Sequence, residues 1–207
     1  MSVNCVDGGF GELSNVIIDP RGRRLTHVVV QPHDRPDKAL LVPVESVRPR
    51  SGTGGITLGS TIAGMAERES IQESAYLLPG EAPTSNSDWD VGIEELYPLP
   101  VYGSQGPEAL GASMGLEYDQ HVAMSYHRVP KGEVEIRRES PVNSSDGHHL
   151  GHVVGFVIDD QQRIEHLVLV HGHLWGKHEA AIPGSAIDRL ANDELTLSLS
   201  RAAVQAR

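Results

Sequence analysis

Cysteine is almost missing from this chain: of 207 residues only Cys5 carries a thiol. One thiol cannot build an intramolecular disulfide framework, so the fold has to hold by packing and hydrogen bonding, as in a reducing compartment. With no base beside it in sequence, Cys5 is read as an ordinary residue, not a nucleophile. Aromatic residues are scarce too, at 4%, and apolar residues make up 39%. That is little for one large core, and the length fits one ordinary domain or two small ones. No apolar run approaches the roughly 20 residues of a membrane-spanning helix. The opening MSVNCVDGGF has neither the basic nor the apolar region of a secretory signal. The expectation is a soluble, cytoplasmic protein.

Positive charge is missing from one place in particular. Residues 61–135 hold three Lys/Arg against thirteen Asp/Glu, whereas residues 1–60 are at net +1 and residues 136–207 at net −2. An acidic middle repels nucleic acid and membrane phosphates, and reads as a solvated connection.

What is present in abundance is repetition. DGGFGELSNVIIDPRGRRLTHVVVQ, LLVPVESV and GGITLG stand in the first part of the chain. DGHHLGHVVGFVIDDQQRIEHLVLV, AAIPGSAI and DELTLSLS stand in the last. Asp19 matches Asp159, His27 matches His166, Pro43 matches Pro183 and Val47 matches Ile187, at offsets of 139 or 140 residues throughout. This is a duplicated module. Each copy has a short apolar run ended by an Asp-led turn, with Pro20 presetting the turn in the first copy. A β-branched run follows, which predicts a hairpin. Several short strands in about 60 residues favour curling into a small barrel.

Between the copies, Ile62, Met65, Ile71, Ala75 and Leu78 fall at helical spacing, which predicts a helix over 61–78. Residues 79–130 read as a Pro/Gly-rich acidic linker, with Trp89, Tyr97 and Tyr102 available to dock it. The alternation in EVEI predicts a leading strand for the second module. The expected organisation is all-β: two small barrels over 1–60 and 131–200, an acidic linker with one helix between them, and a tail at 201–207.

The stretch VPKGEVEIRRESPVNSSDGHHLGHVVGFVIDD, followed by HGHLWGKHEAAIP, resembles the PRC-barrel superfamily. The resemblance rests on Asp146, Gly147 and Gly151 at the opening, Asp159 ending one strand, His166 in the next, and Ile182-Pro183. It implies two PRC-type β-barrels and carries no activity. The superfamily takes in the globular part of the reaction centre H subunit and the C-terminal half of RimM-type ribosome-maturation factors. An H subunit has a membrane helix ahead of its barrel, and a RimM-type factor has a different first barrel. Neither arrangement is found here.

Chemistry-bearing residues are few. Seven of eleven histidines lie between His148 and His178. His171, His173 and His178 are the candidate metal ligands, since imidazoles can share a zinc or nickel ion when three or four converge. Gly172, Gly176 and Lys177 between them favour a hairpin loop instead. Trp175 on that loop is a candidate partner anchor. Arg21, Arg23 and Arg24 form the main basic cluster and are the other candidate partner contact. No stacking aromatics accompany them, so nucleic acid is the weaker partner. DGGFGELS is followed by a strand and not a helix, so its glycines form a tight turn and no phosphate cradle. His27 and His166 read as structural residues. The expectation is a non-enzymatic protein-binding or scaffold protein without a cofactor, able to form a homodimer, its protein partner not named by the sequence. RNA-maturation assistance and histidine-mediated metal binding are the alternatives.

Overall fold

Both repeats build the same six strands in the same order. The computed structural model describes residues 1–50, 54–78, 80–97, 122–171 and 178–205. In the first repeat the strands are β1 (Ser2–Cys5), β2 (Gly8–Asp19), β3 (Arg24–Pro32), β4 (Leu40–Pro43), β5 (Val47–Arg50) and β6 (Gly55–Leu58). They lie in the order β4-β3-β2-β1-β6-β5. A short helix, α1 (Ile62–Ala66), follows. Three strands then form a separate sheet in the order β7-β9-β8: β7 (Gln72–Leu77), β8 (Trp89–Tyr97) and β9 (Val122–Pro130). The remaining strands are β10 (Val134–Arg137), β11 (Pro141–Asn143), β12 (His149–Ile158), β13 (Ile164–His171), β14 (His178–Pro183), β15 (Ile187–Ala191) and β16 (Glu194–Leu197), ahead of a closing helix, α2 (Arg201–Gln205). Strands β11 to β16 repeat the first order as β14-β13-β12-β11-β16-β15.

The duplication reaches individual bonds. Register breaks fall at Leu13/Asn15 and Ile17/Ile18 in β2, and at the matching Val153/Gly155 and Val157/Ile158 in β12. Such bulges sharpen the local twist and curl a sheet. The Asp of each opening Asp-Gly ties down the helix at the far end of its module. Asp7 accepts from Ile62 N–H at 2.9 Å, and Asp146 accepts from Arg201 N–H at 3.2 Å.

Three expectations are corrected. The sheets curl but stay open, each path ending in two unjoined strands, so closed barrels are not what forms. At β4 the reason is visible: Ser70 bridges Leu40, and Ile71 N–H donates to the Ala39 carbonyl at 2.8 Å, capping the edge that closure would need. The helix over 61–78 shrinks to Ile62–Ala66, because Gln72–Leu77 pairs along its whole length with β9. Tertiary pairing overrides the helical spacing there. The stretch 79–130 is also more than linker, since it supplies β8 and β9. Arg128 of β9 sits 5.6 Å over the Trp89 ring of β8 and reaches Glu73 of β7 at 3.2 Å, pinning this sheet together.

Packing tolerance differs sharply between two glycines. A Cβ on Gly184 would overlap the Ile164 carbonyl oxygen, whereas one on Gly155 would meet nothing within 4 Å. Gly184→Ala is therefore expected to cost about 1–3 kcal/mol by overpacking, and Gly155→Ala to stay within about 0.5 kcal/mol of wild type. Urea unfolding of the two variants checks this, and equal midpoints would refute it.

Candidate functional site

The modules meet through matching hairpins. The β2–β3 and β12–β13 turns each hold a left-handed non-glycine residue, Arg23 (φ 48°) and Gln162 (φ 61°). Leu25 N–H donates to the Gln162 carbonyl at 2.9 Å, and Ile164 N–H donates to the Arg23 carbonyl at 2.9 Å. Because Leu25 matches Ile164 and Arg23 matches Gln162, this is one bond made twice about a pseudo-two-fold axis, as in an isologous interface. Behind it, Ile18, Leu25 and Val44 of the first module share a core with Val153, Ile164 and Leu167 of the second.

Strand β10 strengthens the join. It precedes the second module in sequence, yet it pairs antiparallel with β2 of the first, setting Val134 opposite Ile18 and Ile136 opposite Val16. Its Glu135 side chain is fully buried. The carboxylate accepts from Asn15 Nδ2 at 2.7 Å and Ile93 N–H at 2.8 Å, and lies 2.7 Å from His127 Nδ1. Just ahead of β10, Glu133 accepts from the Thr26 hydroxyl at 2.5 Å and lies 3.7 Å from His27 Nδ1. Two carboxylates spaced i, i+2 thus share one side of an extended segment, each beside an imidazole.

A carboxylate-oriented histidine is the arrangement of a general base. The pocket beside His127, however, is only about 180 Å³, below the roughly 300–1,000 Å³ of ordinary ligand sites. A much larger cleft, about 1060 Å³, lies between the modules. Its walls include Leu13, Val16 and Val47 on one side and Gly155, Phe156 and Ile158 on the other. Glu45, Arg48, Arg137, Arg138, Asp159 and Asp160 supply its charged side chains, and among the described residues no imidazole or thiol lines it. The Ser14 hydroxyl in its wall is directed to the Val29 carbonyl.

The residues singled out from sequence are scattered. Arg21, Arg23 and Arg24 sit on the hairpin at the module junction. Arg23 reaches the Ser185 carbonyl at 3.4 Å, and Arg24 bridges Arg163. His173 and Trp175 fall outside the described residues. His171 and His178 are directly paired across β13 and β14. No group of three potential metal ligands occurs among the described residues. Cys5 is buried, and burial, with Asp7 adding repulsion, raises its thiol above the ordinary value. Glu135 and His127 were not singled out. The EVE alternation could have flagged the former, but nothing local links it to His127. The sequence matches no protein-family model and no curated protein. No helix among the described residues is long and apolar enough to cross a membrane.

Glu135→Ala, which strands three polar groups around a buried space, is expected to cost about 3–5 kcal/mol, as measured by denaturant unfolding. A loss below 1 kcal/mol would show that the network contributes little. A second expectation concerns His149, whose ring centroid is 4.8 Å from that of His152. Burial first, and His152 second, lower its pKa below 6.5. The folded chain therefore binds this proton less readily than the unfolded one. The contribution to stability is present above pH 6.5 and is lost as the pH falls through the lowered value. NMR titration should place His149 below 6.5, with His152→Gln moving it upward. A titration at or above 6.5 would sink this assignment.

Proposed function

We propose that this chain is a non-enzymatic protein-binding or scaffold protein of PRC-barrel-like architecture, acting in the cytoplasm and able to self-associate. The observation that carries the reading is the pair of curled, open sheets, not all of whose edges are covered, so that another chain can add to one of them. The walls of the large cleft favour binding over reaction, since among the described residues they pair apolar side chains with charges and bring no base next to a nucleophile. Arg23 is drawn to Ser185 at the module junction, which makes RNA assistance through Arg21, Arg23 and Arg24 the weaker alternative. Metal binding through His171, His173 and His178 has only the cross-strand pairing of the first and last in its favour.

Light scattering of the untagged chain across a wide concentration range tests self-association. The mean mass should rise towards that of a dimer as concentration increases. Mild crosslinking in native cells, followed by mass spectrometry, tests partner binding. A chain that stays monomeric and crosslinks to no protein would overturn the scaffold reading, and stoichiometric zinc on untagged protein would replace it with the metal alternative.

A further inference from the structure

The pseudo-two-fold relation is broken at one place. In the first module the β2 edge at Asn15–Ile18 is filled by β10. Its counterpart in the second module is the edge of β12 at Gly155–Ile158, offset by 140 residues. That stretch pairs with β13 on one side. On the other side β11 pairs only as far as His152, and no strand pairs with Gly155–Ile158 among the described residues. The cleft lies along this edge.

The surroundings of the missing strand are in place. Asn192 accepts from Glu135 N–H at 2.8 Å, and Asp193 N–H donates to the Glu135 carbonyl at 2.8 Å, so the β15–β16 turn covers the outer side of β10. Gly54 matches Asp193, shares its left-handed backbone (φ 63° and 56°) and lines the cleft. Gly54 thus stands where a strand on β12 would be covered. Since the Glu135 amide faces Asn192, it is Val134 and Ile136 whose amides face β2. Their counterparts along β12 are Ile158 and Phe156, both packed against the shared core.

Three other sheet edges are guarded, and this one is not. Strand β5 carries Pro49, β15 exposes Asp188 and Arg189, and β4 is capped by Ser70 and Ile71. Proline, charge and covering segments are the usual defences of an edge. Gly-Phe-Val-Ile has none of them, and Val157 is 45% exposed where its counterpart Ile17 is fully buried.

We propose that the cleft receives an extended segment of a partner protein, added antiparallel to β12, with apolar residues at its first and third positions. Charge sets the flanks. Asp159 and Asp160 follow Ile158, so a basic residue precedes the segment. Arg138 adjoins the opposite end, where Glu139 N–H donates to the Val153 carbonyl at 2.9 Å, so an acidic residue stands at the fourth position. This deepens the protein-binding reading and rests on it.

The probe is the peptide Lys-Val-Thr-Ile-Glu, acetylated, labelled through a C-terminal spacer and titrated with the full chain by fluorescence anisotropy. Saturable one-to-one binding is expected. It should weaken at least tenfold when the Val and Ile amides are N-methylated, a change that leaves the protein untouched. Arg138→Glu, at an exposed position, should weaken this peptide and strengthen one with Lys and Glu exchanged. Gly155→Leu should block both. Absence of saturable binding, or indifference to N-methylation, overturns the inference. So do crosslinks joining residues 155–158 of two copies, which would give the edge to self-association. Each of these results leaves the scaffold reading to its own tests of mass and crosslinked partners.

Discussion

A buried carboxylate holds this architecture in register. Glu135 sits on a strand that belongs by sequence to the second module and by pairing to the first. Leaving it unpaired would be costly, so the fold has to bring Asn15 from β2, the Ile93 amide from β8 and His127 from β9 to one point. Those three groups come from the first module and the three-stranded sheet. On its other side the backbone of the same residue is held by Asn192 and Asp193 of the second module. One residue therefore ties all three sheets, and neighbouring Arg137 adds a two-pronged contact to Asp193. Around it, the reciprocal hairpin bonds and the shared apolar core turn two repeats into one packed body.

The same device creates an asymmetry between the two modules. Two copies of one module, related by a pseudo-two-fold axis, ought to have equal edges. Insertion of β10 fills one of them, and the three-stranded sheet covers the face beyond it. Ile17 lies with Val29, Ile71 and Val129 in a core of its own. Among the described residues, the second module has neither the inserted strand nor the covering sheet at the matching place. An apolar, uncharged edge opening on a large cleft is the result. Natural sheets seldom leave such an edge undefended without a partner to fill it.

Among the described residues, the imidazoles and the thiol lie outside the large cleft. The imidazoles with carboxylate neighbours, His27 and His127, belong to the join between modules. His149 and His152 pack against each other, and Cys5 is buried. The cleft instead offers backbone hydrogen-bonding groups, apolar walls and charges of opposite sign towards its two ends, which recognise the direction and pattern of an extended chain.

The sequence by itself determined the duplication, the hairpins ended by Asp19 and Asp159, the β-rich character and the strand at Val134–Ile136. These are local matters of period two, turn chemistry and self-similarity, all carried by residues near one another in the chain. Tertiary structure alone decided the rest. Gln72–Leu77 is a strand because β9, some fifty residues later, pairs with it, a long-range interaction that no local spacing encodes. The first sheet's β4 edge is closed off by Ser70 and Ile71 from a distant segment. The meeting of His127 with Glu135, and the edge at Gly155–Ile158 that no described strand fills, depend on which strand lies beside which. Pairing across the gap between modules is a property of the assembled sheets and leaves no periodic trace in the chain.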